Sequence, residues 1–509
     1  MLIKVVLLIV FFTIMILVGL YARKHTTNVG DFVLGGRAVG PWLTAFAYGT
    51  TYFSAVVFVG YAGQFGWKYG ISATWIGIGN AFIGSLLAWI VLGRRTRVMT
   101  HHLKSTTMPD FFGSRYDSKA LRIVASAIAF VFLIPYTASV YTGLSKLFGM
   151  AFDIPYMACV IAMAVLTGVY VILGGYMATA INDFIQGIIM LGGIIAVVAA
   201  VLSNNGGFTE AVKNLAQFES EIAVTQGHLG AYTSFFGPDP INLLGVVILT
   251  SLGTWGLPQM VHKFYTIKNE KAIKSGTIIS TVFAIIISGG CYFLGGFGRL
   301  YDSEVIHKAD GAIAYDAIVP HMLSSLSDVL IGIVVILVLS ASMSTLASLV
   351  MTSSSTLTLD FIKGNLIKTM SEKKQILIIR ILIVCFIALS VLIAWKPPTF
   401  IAQLMGISWG ALAGSFLAPF LYGLYWKRVT KAAVWASFAA GVGITVSNLY
   451  FKYIASPINA GAIAMVAGLV VVPLVSLLSP RMNQSKVQEI FSCYDETVTV
   501  HTKKSIEEA

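Results

Sequence analysis

The chain has 509 residues, of which 57% are hydrophobic and 11% charged, with a net charge of +12 and a mean hydropathy of +0.83. Soluble domains carry about a quarter charged residues, and no soluble core could hide this much apolar surface, so the bilayer is the expected solvent. The basic excess is not a nucleic-acid footprint, because the lysines and arginines fall in short loops between apolar runs, where orientation signals lie.

In chain order, about thirteen apolar segments are long enough to cross a hydrocarbon core of roughly 30 Å. They lie near 3–21, 41–66, 73–93, 120–147, 156–174, 180–203, 240–261, 276–298, 327–351, 376–395, 399–425, 432–451 and 461–479. The first run is followed by Arg23, Lys24 and His25, which favours a retained helix with its N-terminus outside over a cleaved signal. Alternate loops are basic: Arg23/Lys24/Arg37, Arg94/Arg95/Arg97/Lys104, Lys263/Lys268/Lys271/Lys274, Lys363/Lys368/Lys373/Lys374 and Lys427/Arg428/Lys431. The opposite set is poor in lysine and arginine. Its long members, 204–239 and 299–326, carry Glu210, Glu219, Glu221, Asp302, Glu304, Asp310 and Asp316. This alternation predicts a cytoplasmic C-terminus, an odd number of spans and a short cytoplasmic tail over 480–509. The four cysteines, Cys159, Cys291, Cys385 and Cys493, lack metal-ligand spacing and read as packing residues. No Walker-type phosphate loop occurs, so uphill transport would draw on an ion gradient.

Two spans are interrupted by glycine, hydroxyl and aromatic residues. The second contains Gly49-Thr50-Thr51-Tyr52-Phe53-Ser54, then Gly60 and Gly63; the seventh contains Ser251-Leu252-Gly253-Thr254-Trp255-Gly256-Leu257-Pro258-Gln259. Either alone reads as a kinked helix in close packing, since Gly and Pro are frequent in membrane helices. As a pair they open corresponding positions of two five-span halves, which points to a midplane binding site. Unwound backbone at that depth persists only where it lines a cavity or binds something. The ninth span adds Ser340-Ala341-Ser342-Met343-Ser344-Thr345-Leu346-Ala347-Ser348, and in a helix Ala341, Ser344, Thr345 and Ser348 share one face. Hydroxyls on such a face either bond back to the i−4 carbonyl or join freed carbonyls as oxygen ligands for sodium.

At these residues the chain resembles the sodium:solute symporter family. Gly174-Gly175-Tyr176-Met177-Ala178 with Asn182-Asp183-Phe184-Ile185-Gln186-Gly187 is similar to the family's GG-signature, and Met343-Ser344-Thr345-Leu346 to its ion-site helix. Gly256-Leu257-Pro258-Gln259 with Lys263-Phe264 looks like its seventh-helix segment, and Pro109-Asp110-Phe111-Phe112 with Arg115-Tyr116-Asp117 resembles its amphipathic loop. The resemblance implies an all-α integral membrane domain over 1–479, with a fold of the leucine-transporter type: inverted five-helix repeats near 41–203 and 240–425, and extra helices at both ends. It implies a sodium site made by backbone carbonyls of Thr50, Phe53 and Ala341 and hydroxyls of Ser344 and Thr345. Asp183, Ser344 and Ser348 match a second sodium site found in some members, although Ala347 stands where a serine is expected. Asp183 reads as a second-ion, proton or gate residue, or as a helix cap at the membrane edge.

The solute is expected beside the broken helices, at Tyr52, Ser54, Ala55, Thr250, Thr254, Trp255 and Pro258, where half-helix ends could meet a carboxylate. Trp255 reads equally as packing. Tyr52, Thr250 and Thr254 depart from the proline-transporter pattern. Thr51 to Ser54, Asn182-Asp183, Ala394 to Pro398 and Gly423 to Trp426 are similar to pantothenate permeases, which implies a carboxylate-bearing solute. The expected partners are a small-molecule solute, sodium as co-transported ion and the cell-membrane bilayer, with no nucleic acid and no further cofactor. A proton-coupled carrier, a proline, amino-acid or sugar symporter of the same family, and a solute sensor without flux are the rival readings. His101-His102 and His262 read as solvated or interfacial, and no HExxH or nucleophile–base motif points to an enzyme.

Overall fold

The computed structural model describes residues 2–23, 28–363, 365–367, 369–397 and 399–495. Lys24, His25, Lys368, Pro398 and the tail beyond 495, together with the side chain of Arg23, belong to the readings above but lie outside the described residues. Among those residues the chain is helical, with no strand and a few isolated bridges such as Val39 with Ile267. Hydrocarbon offers no partner to backbone N–H and C=O groups, so each crossing satisfies them internally.

The helices used below are α1 (Leu2–Arg23), α2 (Pro41–Tyr52), α3 (Ala62–Tyr69), α4 (Lys119–Phe152), α5 (Tyr156–Asn204), α6 (Pro240–Gly256), α7 (Pro258–Tyr265), α8 (Glu270–Gly295), α9 (Tyr315–Ser324), α10 (Asp328–Thr356), α11 (Glu372–Trp395), α12 (Ile401–Tyr425), α13 (Lys431–Phe451) and α14 (Pro457–Leu478). A helical stretch over 74–102 lies between α3 and α4. Helix starts follow from local sequence: Ser118, Asp239, Asn269 and Thr430 each accept the N–H three residues on, from Leu121, Asn242, Ala272 and Ala433.

Among the described residues, by length and hydropathy, ten helices can cross a membrane, or eleven if α6 and α7 form one bent span. The expected thirteen is not reached on this measure, for local reasons. α2 runs only 12 residues before its break, and the Tyr156–Val169 part of α5 is short. Val56–His102 forms one stretch of 47 residues, although Gly70 (φ +61°) turns the chain inside it. α5 is itself broken at Gly175 (φ 59°, ψ −164°), where an added Cβ would meet Phe32 Cδ2 at 3.0 Å. Only glycine takes that backbone without strain.

α10 and α12 are buried almost throughout, whereas α1 and α11 face outward. Close helix approach comes from small residues: a Cβ on Gly66 would stand 2.0 Å from Gly295 O, and one on Gly256 2.8 Å from the Ala413 backbone. The two loop classes separate to opposite ends. At the basic end Arg97 donates to Ile267 O and Lys268 O, and Lys431 and Lys486 pair with Asp117. At the other end Lys4 pairs with Asp328 and Arg299 with Glu221.

Candidate functional site

Both interrupted spans are broken where glycine and hydroxyl residues cluster. α2 stops at Tyr52, and Phe53 is extended (φ −109°, ψ 112°). Ser54 restarts the helix: its carbonyl accepts from Val57 and Phe58, and its Oγ from the Val56 N–H at 3.2 Å. α6 ends at Gly256, Leu257 is extended (φ −83°, ψ 122°), and Pro258 opens α7 at a bend of 46°. Pro suits this position because its missing N–H would have no helical acceptor there.

The hydroxyl face of α10 packs on the first break. Thr345 Oγ1 lies 3.3 Å from Thr50 O, 3.2 Å from Thr51 O and 3.0 Å from Ala341 O. Ser344 Oγ donates to Thr50 Oγ1 at 2.8 Å, and Ser348 Oγ lies 2.9 Å from Thr51 Oγ1. Thr50, Ala341, Ser344 and Thr345 therefore converge, all buried, with Phe53 on the adjoining unwound turn. Thr345 does bond back to its i−4 carbonyl at Ala341, but it also reaches two carbonyls of α2. The cluster offers several oxygens and no net negative charge, a donor set suited to a small alkali cation. Ser342, off the shared face, accepts from the Ala55 N–H at 3.1 Å and so fixes the second half-helix to α10.

Asp183 is fully buried inside α5, eight residues past the break at Gly175, so it is no helix cap. Lys263, assigned to a basic loop above, is instead buried on α7. Its Nζ lies 3.0 Å from Ser348 Oγ and 3.8 Å from Asp183 Oδ2. His262, expected at the interface, is also buried, between the rings of Tyr176 (5.5 Å) and Tyr265 (6.0 Å). The Gly256–Pro258 bend turns both side chains inward, which loop composition alone does not reveal.

The residues assigned to the solute divide into two groups. Thr254 Oγ1 donates to Gly84 O at 3.1 Å and Trp255 Nε1 to Ile83 O at 3.0 Å, both in the 74–102 stretch. Thr250 Oγ1 bonds within α6, to Val246 O. Tyr52 donates to Thr250 O at 2.6 Å, stacks on Phe53 at 4.3 Å and lies 6.2 Å from Trp409. Ser54 and Ala55 border this stack along the break, while Pro258 opens α7 behind it. Trp409 on α12, which also meets Tyr136 edge-on at 5.9 Å, is not among the sequence candidates. Its signal was an aromatic set among Gly406, Gly410 and Gly414. Its buried Nε1 has no hydrogen-bond acceptor among the described residues. A cavity of about 490 Å³ opens toward the acidic-loop end, lined by Gln64, Lys68, Asp239, Val246, Gln403 and Asn459 among others. Val246, one turn from Thr250, lines this cavity, whereas Tyr52, Thr250, Thr254, Trp255 and Trp409 do not.

The model of the sodium:solute symporter family matches residues 32–441. A protein of Staphylococcus aureus (strain JH9) named sodium/proline symporter is 29% identical over 460 residues, covering 87% of this chain and 85% of its own length. Among solved structures, a substrate-bound outward-open Na+-coupled sialic acid symporter superposes with a TM-score of 0.77 at 18% identity, over 95% of this chain and 98% of that one. MhsT in complex with L-phenylalanine gives a TM-score of 0.50 at 13% identity, over 86% and 97%. At these identities the two structures speak for the fold, which is that of the leucine-transporter type.

Proposed function

Because this chain belongs to the sodium:solute symporter family, we propose that it is a sodium-coupled symporter importing a small, carboxylate-bearing organic solute by alternating access. It is a transporter rather than an enzyme. The observation that carries the reading is Thr345 Oγ1 within 3.3 Å of the Thr50 and Thr51 carbonyls, with Ser344 on Thr50 Oγ1. Sodium held by the Thr50, Phe53 and Ala341 carbonyls and the Ser344 and Thr345 hydroxyls would tie α10 to the break after α2.

The same break carries the aromatic stack, so the ion organises the surface the solute meets. Tyr52, Thr254 and Trp255 are held by hydrogen bonds to neighbouring spans and Thr250 by one within α6, and together they stiffen the wall. Trp409 supplies the open donor, and a carboxylate oxygen is a fitting acceptor for it. Ion and solute occupy adjoining places on one hinge, so each strengthens the other's binding by the same free energy. In the proposed orientation the cavity of about 490 Å³ faces outside and the basic loops face the cytoplasm. The Staphylococcus aureus relatives make proline the natural comparator.

Reconstituted protein should accumulate a carboxylate solute, from a panel of pantothenate, proline, sialic acid and a neutral sugar, only under an inward sodium gradient. Accumulation driven equally by a pH gradient without sodium would establish the proton-coupled rival. Binding without flux would establish a sensor.

A further inference from the structure

Beside the proposed sodium cage, buried polar groups of three helices meet around one ammonium. Lys263 Nζ on α7 donates to Ser348 Oγ on α10 and faces Asp183 Oδ2 on α5. The Lys263 side chain is 2% exposed and that of Asp183 0%. The ring of Tyr176 covers the ammonium at 5.2 Å. The Ser344 hydroxyl, itself bonded to Thr50 Oγ1, also lies within reach of Asp183, and the neighbouring Asn182 amide is without a partner among the described residues. The carboxylate is thus balanced by proximity to one positive charge rather than by a shell of donors.

A buried carboxylate at this depth requires a countercharge. A small inorganic cation or a fixed ammonium can provide it. Here Ser348 already accepts a hydrogen bond from the Lys263 ammonium, and its oxygen lies against Thr51 Oγ1 beside the cage. A sodium ion entering between Asp183 and Ser348 would sit against that ammonium and leave a net positive charge in a buried site. We propose that Lys263 is a tethered cation, permanently occupying the position beside Asp183 and Ser348 that a second sodium would take, so that the protein binds and moves one sodium ion per cycle. The proposal rests on the sodium-symport reading above and fixes its ion stoichiometry.

The tether has a structural consequence. A mobile ion leaves with each cycle, whereas Lys263 cannot leave, so the link from α7 to α5 and α10 persists after sodium is released. Sodium release then loosens only the contact between α10 and the break after α2.

The test counts 22Na+ bound at saturation to purified protein. Native protein is expected to bind one ion per chain. Lys263→Ala and the more shape-conserving Lys263→Met each bare the Asp183 carboxylate and are expected to bind two. Adding Asp183→Asn to either is expected to return the count to one. Native protein binding two ions would overturn the proposal whatever the variants do. So would either folded lysine variant, with a cooperative melting transition, remaining at one ion. Native protein binding no sodium would refute the symport reading itself, a result distinct from both.

Discussion

Thr345→Val removes one oxygen from the cage and keeps the shape of the side chain. That hydroxyl bonds chiefly to Ala341 O, with Thr50 O and Thr51 O slightly farther away at 3.3 and 3.2 Å. Its back-bond to Ala341 is lost with or without sodium and largely cancels, leaving the interaction with the cation as the difference. A polar interaction with a charged group contributes about 1.5–3 kcal/mol, and about 1.4 kcal/mol is a factor of ten in affinity. The sodium concentration giving half-maximal uptake should therefore rise roughly 10- to 100-fold, with the maximal rate recoverable at high sodium. Uptake measured against sodium at constant ionic strength reads this directly. Ser355→Ala is the control: Ser355 lies on the same helix but bonds only within it, to Thr352 O, and should leave the sodium dependence unchanged. A Thr345→Val protein with an unaltered sodium curve, or an equal change in Ser355→Ala, would refute the reasoning.

Trp409→Phe keeps the aromatic stack on Tyr52 and deletes the open donor, so the solute KM should rise about tenfold, the worth of one hydrogen bond, while half-maximal sodium stays put; equal shifts in both would place Trp409 at the ion instead. Gly66→Ala drives a methyl to 2.0 Å from Gly295 O and should cost about 1–3 kcal/mol of stability, seen as a lower melting temperature in detergent. His307, exposed in the 299–326 loop, is held above the usual histidine range by its 2.8 Å hydrogen bond to Asp302. A group whose folded pKa is raised contributes below its unfolded pKa and loses that contribution as pH rises through the folded value. Hydrogen exchange in 302–314 should therefore be slower at acidic pH, after correction for intrinsic rates, and His307→Gln should abolish the difference.

The breaks at Phe53–Ser54 and Leu257 were legible because a polar or glycine-rich run inside an apolar span has few stable conformations in hydrocarbon. The α10 face was legible because a helix has a fixed period, and that period places Ser344, Thr345 and Ser348 together. Partners across helices were not. Lys263 reads as one more loop cation until the bend at Leu257 turns it toward Asp183 on a helix some eighty residues earlier. Trp409 is hidden for the same reason: helical periodicity gives a residue's face but not which neighbour that face meets. The count of thirteen crossings is not confirmed by length and hydropathy, because breaks such as that after Tyr52 shorten one helix while continuous π-helical and α-helical turns over 74–102 lengthen another.

The most direct test of the sodium cage is a high-resolution density map of the protein in sodium, compared with one in which choline replaces sodium. An ion bound by the carbonyls of Thr50, Phe53 and Ala341 and the hydroxyls of Ser344 and Thr345 should be present in the first and missing from the second. Identical density in both maps at that point, or a sodium ion bound elsewhere with these five residues uninvolved, would contradict the account.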